Sequence, residues 1–300
     1  MNEDIVSVII PSYNYEKYIV ECMQSIVDQD YKEIELIVVE DYSKDNSRQI
    51  IKSFLNQDNI IKRFINIVYI ENEENKGAHY SINKGVMEAK GKYIAIINAD
   101  DLYERNRFSC MVPKMKTGNK QIMFSNVEII DGNSKISSTE EAEKFRSLPM
   151  EVNKYPYVSY ALLRQNIAIS TGNMLFTKEL YEKLKGFREY KYIHDWDFIL
   201  RACIIDEPEY IANTKYYYRL HDTNSFRRLK DIADIEVKIV LEDFFALIKK
   251  GSNNPALNKE KVFKEIKEEY LKVHWNRTNF LLRKLIKHKY KYKILKHRKD

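Results

Sequence analysis

The feature that most constrains the fold is an alternation, in the first third of the chain, of short β-branched runs with stretches of helical periodicity. Four runs rich in Val and Ile predict buried strands, at 5–10, 33–39, 67–70 and 93–97. Between them, apolar residues recur at helical spacing at 18–26, 45–56 and 82–89. Strands that alternate with helices across short connections predict a mostly parallel sheet, covered by helices on both faces, through about residue 105.

The pattern is less regular between residues 106 and 225, and it becomes helical from about residue 229. Candidate strands cover 121–130 and 214–220, and candidate helices cover 177–185 and 196–204. A turn cluster, GSNNP at 251–255, separates two helices in the last part. The predicted fold class is therefore α/β, with 1–105 and 106–228 as two halves of one domain and 229–300 as a helical C-terminal extension.

Composition excludes several classes of protein. The 300 residues are 44% hydrophobic and include only 8 Gly and 6 Pro, which excludes disordered, collagen-like and low-complexity chains. Three widely spaced cysteines favour neither a disulfide framework nor a cysteine-built metal site, and they predict a reducing compartment. The sequence shows neither a secretion signal nor about eighteen consecutive apolar residues, so we expect a cytoplasmic protein, soluble or peripheral on a membrane.

Positive charge is concentrated near the end of the sequence. Residues 271–300 hold eleven Lys or Arg and a single acid, Asp300, whereas the whole chain has a formal net charge of +6. Apolar residues recur there at helical spacing, at Leu271, Trp275, Leu282, Leu285 and Ile286. The predicted amphipathic helix could pack on the body, bind an anionic membrane surface or, least favoured of the three, bind nucleic acid.

Polar residues follow three of the predicted strands. These residues are PSYN at 11–14, EDYS at 40–43 and NADD at 98–101. Because the carboxyl ends of parallel strands meet at one edge of the sheet, we expect the three sets to line one crevice.

Two acidic pairs in these sets could bind ligands. Asp100 and Asp101 place two carboxylates at a strand end, where Mg²⁺ or Mn²⁺ with phosphate oxygens is commonly held, although an Asp there could equally cap a helix. Glu40 and Asp41 could accept hydrogen bonds from a ribose or a base edge, or could belong to a turn that leads into the next helix.

Further candidates lie in the second half. HDWD at 194–197 opens an apolar-periodic stretch, so either Asp195 or His194 could act as a base at the first turn of a helix. His221 ends a strand-like run and could bind metal or be structural. The sequence has no P-loop, GxGxxG or HExxH motif, so phosphates are expected to contact metal and side chains rather than a glycine-rich loop.

These residues, taken together and in order, resemble those of family 2 glycosyltransferases with the GT-A fold. The matching segments are VSVIIPSYN at 6–14, IVVEDYSKDNS at 37–47, NKGA at 75–78, NKG at 83–85, NADD at 98–101, STGNMLF at 170–176, GF at 186–187, HDWDFILR at 194–201 and YRLH at 218–221. The resemblance covers residues 5 to about 225. It implies that 1–105 binds a nucleotide-sugar and that 106–228 binds the acceptor.

The resemblance also implies a role for each candidate. Nucleotide binding falls to Pro11, Tyr13, Glu40, Asp41 and Asp100, with Asp100 near the ribose. Metal binding, of Mn²⁺ or Mg²⁺, falls to Asp101 and His221, and the role of catalytic base to Asp195. Three positions depart from the commoner family pattern, namely Glu40, Asn98 and His194, and the change at Asn98 leaves open which carboxylate binds the metal.

The resemblance implies an inverting transfer of a sugar from a nucleotide-sugar, with UDP as the expected nucleotide, to a hydroxyl of a glycan or lipid-linked acceptor. The basic segment 271–300 adds the expectation that this transfer takes place at the cytoplasmic face of the cell membrane, with the segment as its anchor. Two alternatives are a nucleotidyltransferase, for which PSYNY offers no basic phosphate-binding loop, and a nucleic-acid-binding protein that acts through the basic segment. The second alternative would leave the acidic crevice without a purpose.

Overall fold

The structure is a computed structural model that describes residues 4–222, 224 and 230–258. The predicted amphipathic helix in 271–300 lies outside the described residues. Within the described ranges, no helix combines the length and the apolar character needed to cross a bilayer.

In the part of the chain that the structure describes, eight strands form one sheet. They are β1 (Val6–Ser12), β2 (Ile34–Glu40), β3 (Asn66–Glu71), β4 (Tyr93–Ile96), β5 (Leu102–Tyr103), β6 (Ile122–Ile130), β7 (Met174–Thr177) and β8 (Glu209–Arg219). Their order is β3-β2-β1-β4-β7-β6-β8-β5, and β1 to β4 are mutually parallel. The β7 strand enters antiparallel between β4 and β6, and β8 pairs with β6 in parallel.

Helices surround the sheet. They are α1 (Ile19–Val27), α2 (Ser47–Leu55), α3 (Asp58–Arg63), α4 (Ala78–Glu88), α5 (Arg107–Thr117), α6 (Glu140–Ser147), α7 (Val158–Arg164), α8 (Lys178–Leu184), α9 (His194–Ile205) and α10 (Lys230–Ile248). Short 3-10 turns span Pro149–Lys154 and Thr171–Asn173. The four strands and three helices predicted before residue 105 are all present, and α3 and the two-residue β5 are additions.

Both faces of the sheet are buried, as the continuous apolar runs of its strands predict. Along β1, Ile9 faces one core with Ile82 and Val86 of α4, while Val8 and Ile10 face the other. The second core includes the apolar stripes of α1 and α2. Since neighbouring strand residues point to opposite faces, β1 is fixed between two layers of helices.

The core continues past residue 228. Val240, Leu241, Phe244 and Phe245 of α10 are buried in the same core as α9, and Leu257 joins them. The part of the predicted 229–300 extension that the structure describes therefore packs as an integral layer of the α/β body.

Candidate active site

Strand pairing brings the first two predicted polar sets together. Ser12 at the end of β1 is in register with Glu40 at the end of β2, and the Asp41 N–H donates to the Ser12 carbonyl at 2.8 Å. On the other side of β1, Ile9 is in register with Ile96, two residues before Asn98. The carboxyl ends of β1, β2 and β4 thus share one edge of the sheet, as predicted. We call this the strand-end edge.

Glu40 is turned inward and fixes the turn that follows β2. Its carboxylate is fully buried and accepts the backbone N–H groups of Tyr42 and Ser43 at 3.0 and 2.6 Å. The guanidinium of Arg48 approaches it at 3.3 Å. These bonds stabilise a positive φ of 66° at Tyr42, a conformation that few residues other than glycine adopt. The structure therefore gives the buried Glu40 carboxylate a role in shaping the edge.

Asp41 connects the edge to the start of α4. One carboxylate oxygen accepts the Lys76 N–H at 2.9 Å and the Asn72 amide at 2.7 Å, and the other accepts the Gly77 N–H at 2.8 Å. Gly77 has a φ of +86°, which glycine adopts without strain. The oxygen bonded to Gly77 keeps a second lone pair, so Asp41 can hold this loop and still accept one further donor.

Two aromatic rings are exposed at this edge. Tyr13 and Tyr42 are 39% and 36% exposed, and the Lys44 ammonium lies 3.6 Å from the centre of the Tyr42 ring. Pro11 precedes them at the end of β1 and is partly buried. Tyr42 was not among the sequence-predicted site residues, because its exposure depends on the turn that Glu40 closes.

Asp101 lies in the interior. It is 1% exposed and accepts hydrogen bonds from the Arg219 N–H at 2.7 Å, from the Asn98 amide at 2.9 Å and from the Tyr216 hydroxyl. Burial, and then the neighbouring charge of Asp100, raise the pKa of Asp101 well above its usual value. Through these hydrogen bonds Asp101 links the loop that follows β4 to Tyr216 and Arg219 of β8.

Asp100, in contrast, meets His221. One oxygen of Asp100 lies 2.9 Å from Nε2 of His221, whose ring packs beside Tyr18 with centroids 5.3 Å apart. The Arg219 guanidinium packs against the same Tyr18 ring, 4.6 Å from its centre. The sequence-based expectation assigned metal binding to Asp101 and His221. In the structure the carboxylate beside His221 is that of Asp100, whereas Asp101 is turned into the interior by Arg219 and Tyr216.

The chemistry of this pair suits a hard divalent cation. Among the described residues, no group of three or more His, Cys, Asp or Glu side chains is placed to hold a metal ion. Mg²⁺ and Mn²⁺ nevertheless bind through one or two protein ligands when substrate phosphates and waters supply the rest. The oxygen of Asp100 and the nitrogen of His221 fit that arrangement.

Asp195 is the second residue of α9, and its carboxylate accepts hydrogen bonds on both oxygens. One oxygen accepts the Trp196 N–H at 2.7 Å, and the other accepts the Asn166 amide at 2.8 Å. Trp196 is fixed in turn, because its indole N–H donates to the Leu162 carbonyl at 2.7 Å. The Asp195 side chain is partly exposed. Burial raises the pKa of Asp195 from its usual value near 3.8 to about 7, against the opposing effect of its hydrogen bonds.

His194, the rival base, lies in a different environment. Burial, and then repulsion from His79, lower the pKa of His194 to about 4, so its imidazole is neutral at physiological pH. Its Nδ1 is enclosed and has no hydrogen-bond partner among the described residues. The ring lies against Phe187, with centroids 6.3 Å apart.

One short segment connects Asp195 to the strand-end edge. Asn166 donates to Asp195, and four residues later the Ser170 hydroxyl accepts the Asn98 amide at 2.9 Å. Four residues span at most about 14 Å when extended, and this segment is turned, since the Ile169 N–H bonds to the Asn166 carbonyl. One turned segment therefore links Asp195 to the loop of Asp100 through a side-chain hydrogen bond at each end. Asn166 was missed by sequence reasoning, because an Asn between two motifs carries no local signal.

An open cavity of about 640 Å³ adjoins His221 and is also lined by Tyr15, Lys17, Tyr18 and Asn133. A larger one, of about 840 Å³, lies along α1 and β5 and contains none of the predicted site residues. The larger of these two cavities is therefore not the one that adjoins the chemically suitable side chains.

Three curated relatives show the similarity in sequence. The glycosyltransferase GlyG of Streptococcus pneumoniae is 36% identical over 124 residues, which are 41% of this chain and 39% of GlyG's length. An uncharacterized glycosyltransferase of Methanocaldococcus jannaschii is 32% identical over 75% of this chain and 74% of its own. The UDP-Glc:alpha-D-GlcNAc-diphosphoundecaprenol beta-1,3-glucosyltransferase WfgD of Escherichia coli is 28% identical over 78% of this chain and 86% of its own.

Two solved structures share the fold at low sequence identity. S. aureus TarS 1–349 in complex with UDP-GlcNAc aligns with a TM-score of 0.67 at 19% identity, over 91% of this chain and 73% of that one. The mannosyltransferase PcManGT of Pyrobaculum calidifontis, in complex with GDP-Man and Mn²⁺, aligns with a TM-score of 0.62 at 16% identity, over 96% and 80%. These likenesses establish the GT-A architecture.

The family model for glycosyl transferase family 2 matches residues 7–185, which include the strand-end edge and the Asn166 segment. Together with the relatives, this match shows that the chain is a glycosyltransferase that belongs to glycosyl transferase family 2.

Proposed function

We propose that this glycosyltransferase moves a sugar with inversion from a nucleotide-sugar, with UDP as the nucleotide, to an acceptor hydroxyl, and that Asp195 is the catalytic base. The observation that carries the proposal is the setting of Asp195, a partly exposed carboxylate at the start of α9 whose pKa is raised to about 7. A base works best when its pKa lies near the working pH. The segment 166–170 keeps this base close to the strand-end edge.

The reaction uses the chain's own groups as follows. Asp195 accepts the proton of the acceptor hydroxyl as that oxygen forms a bond to the anomeric carbon. The bond from the anomeric carbon to the diphosphate oxygen breaks at the same time, and the nucleoside diphosphate leaves with the electron pair. Asn166 and the Trp196 N–H keep the two oxygens of Asp195 oriented during this transfer.

The nucleotide is proposed to lie at the edge formed by β1, β2 and β4. Tyr13 and Tyr42 offer exposed aromatic faces for a base, next to Pro11, and Asp41 has a lone pair for a base or ribose donor. Asp100 and His221 would hold Mn²⁺ or Mg²⁺, which supplies positive charge against the charge that builds on the leaving diphosphate. The TarS complex with UDP-GlcNAc supports a UDP-sugar as the donor, and the PcManGT complex with Mn²⁺ supports a divalent metal ion.

The acceptor is proposed to be a lipid-linked glycan at the cytoplasmic face of the membrane. The support is the name of WfgD, which gives an undecaprenol diphosphate-linked acceptor for that relative. A role for 271–300 as a membrane anchor stays a prediction.

The test of the base is the Asp195→Asn variant. A panel of UDP-sugars and GDP-sugars, each with and without Mn²⁺, first identifies the donor by the rise in melting temperature that it causes. We expect Asp195→Asn to keep that rise and to lose turnover about 10²- to 10⁴-fold, the usual contribution of a general base.

The matched control is Asp58→Asn, which removes an exposed carboxylate at the start of α3 and should turn over at the parental rate. Parental turnover in Asp195→Asn would refute the assignment of the base. The absence of a shift with any nucleotide, in a folded protein, would refute the donor site.

A further inference from the structure

The carboxylate of Glu236 reaches from α10 to the chain segment that enters α9. Its Oε1 accepts the Lys191 N–H at 2.9 Å, and its Oε2 accepts the N–H groups of Tyr192 and Ile193 at 2.9 and 3.3 Å. Ile193 is the residue that precedes the first helical residue of α9, His194. One side chain thus binds three consecutive backbone donors directly before the proposed base.

The burial of Glu236 makes these bonds necessary. Its side chain is 0% exposed, and it accepts hydrogen bonds from the three backbone N–H groups. A buried carboxylate is costly unless hydrogen-bond donors replace its water. The three N–H groups and the positive end of the α9 dipole supply that compensation, while Ile193 has no side-chain acceptor of its own with which to cap the helix.

A second contact joins the same two helices. Arg188 lies between Asp197 of α9 and Asp243 of α10, at 3.3 and 3.1 Å. Asp243 is seven positions after Glu236, so both face α9 from one side of α10. Between them Val240 is buried in the core that α9 shares. The entry to α9 is therefore held by polar contacts at both ends of an apolar patch.

We propose that Glu236 is a positioning residue for Asp195: by binding the backbone of 191–193 it fixes where α9 begins, and so where the Asp195 carboxylate stands relative to the strand-end edge. This inference rests on the proposed role of Asp195. It gives one residue of α10 a part in placing the base, although no residue of α10 lies within the family match at 7–185.

Electrostatics supports the same connection. Burial is the main cause of the raised pKa of Asp195, and the negative charge of Glu236 adds a smaller contribution in the same direction. Glu236 is thus close enough to act on the base by its charge as well as through the backbone.

The test compares Glu236→Gln with Glu242→Gln in the full chain. Glu242 lies on the same helix, is half exposed and forms an ion pair with Lys238 at 3.8 Å. Hydrogen–deuterium exchange is measured for the amides of 191–200, and turnover is measured as UDP release from the UDP-sugar that raises the parental melting temperature most. For Glu236→Gln we expect faster exchange there, a kcat about 10- to 100-fold lower and a donor KM within about twofold, since a misplaced base slows the chemical step without weakening donor binding.

Unchanged exchange at 191–200, or a kcat within twofold of that of Glu242→Gln, would overturn the positioning role. If Glu236→Gln does not fold, Glu236→Asp takes its place, because it keeps the charge and withdraws it by one methylene; parental exchange and kcat in that variant would also overturn the proposal. Asp195→Asn is measured alongside: if it turns over normally, the base assignment fails, while faster exchange in Glu236→Gln still shows that Glu236 positions α9.

Discussion

The strand-end edge and the start of α9 contribute to one site but are built in different ways. The edge follows from backbone pairing, since seven consecutive residues of β1 are in register with β2. The start of α9 depends on individual side chains that are distant in sequence: Asn166 is 29 positions from Asp195, and Glu236 is 44 positions from Tyr192. The edge should therefore tolerate the loss of any one side chain better than the start of α9.

The largest effect should come from removing α10. A chain that ends at Arg228 loses Val240, Leu241, Phe244 and Phe245, which are at most 6% exposed. At about 1.5–3 kcal/mol for each buried side chain, the loss is about 6–12 kcal/mol, comparable to the whole stability of a typical domain. We expect this chain to have no cooperative thermal transition by circular dichroism.

The control is a chain that ends at Asn258, which keeps α10 and Leu257 and should melt cooperatively. A chain ending at Arg228 that melts within about 5 °C of this control would show that the body is independent of α10. Vesicle binding by residues 271–300 is better tested with the chain that ends at Asn258, since the chain that ends at Arg228 also lacks part of the core.

The next prediction separates the two neighbouring aspartates. Asp101→Asn places an amide N–H₂ among three donors, so we expect a loss of about 1–3 kcal/mol in the free energy of unfolding. Asp100→Asn should leave stability nearly unchanged and abolish the extra melting-temperature rise that Mn²⁺ gives with a nucleoside diphosphate. Urea unfolding and thermal shifts with UDP and Mn²⁺ measure the two effects. A reversed result, with Mn²⁺ dependence lost only in Asp101→Asn, would restore the sequence-based assignment.

The difference between the two regions also explains what the sequence could predict. Short apolar runs such as VSVII predict a buried strand from local sequence alone. Parallel pairing of these strands then determines which strand ends meet. The strands β1 to β4, and the shared edge of Ser12, Glu40 and Asn98, were therefore predicted correctly. The short β5 and β7 strands and the α5 to α7 helices were not, because two to eleven residues within an irregular stretch carry weak periodicity.

The candidate site shows the same limit at the level of single atoms. Sequence could place Asp100 and Asp101 at a strand end, but which of them turns inward depends on Arg219 and Tyr216, more than a hundred residues away. Glu236 gave no signal at all, because a Glu on an amphipathic helix is ordinarily solvated. Its role depends on the donors of 191–193, which only the tertiary structure reveals.

The raised pKa of Asp195 predicts a pH-dependent stability difference at the start of α9. Between about pH 4 and pH 7 the unfolded chain ionises this carboxyl group while the folded chain keeps its proton, so the parent loses stability as the pH rises. The Asp195→Asn variant has no such penalty, and the Asn166 side-chain oxygen, which has no partner among the described residues, can accept from the amide that replaces the carboxyl group.

Three pKa units would correspond to at most about 4 kcal/mol, and partial exposure reduces the expected gain of Asp195→Asn to about 1–2 kcal/mol at pH 8. The gain should shrink at pH 5, where the parent is largely protonated in the folded state. Urea unfolding at the two pH values measures it, with Asp58→Asn as the matched exposed substitution. A gain that is equal at both pH values would mean that the pKa of Asp195 is not raised.

The smallest effect concerns the segment that joins the two regions. Ile169, between Asn166 and Ser170, has a φ of 71°, which a β-branched residue rarely adopts. Glycine accepts this conformation and alanine does not, so Ile169→Gly should be more stable than Ile169→Ala by about 1 kcal/mol, the reverse of their usual order. Urea unfolding of the two variants measures the difference; equal stability, or a more stable alanine variant, would show that the backbone here is not constrained. If glycine also lowers kcat while leaving the donor KM unchanged, the strained residue serves to hold Asn166, and through it Asp195, in register with the edge.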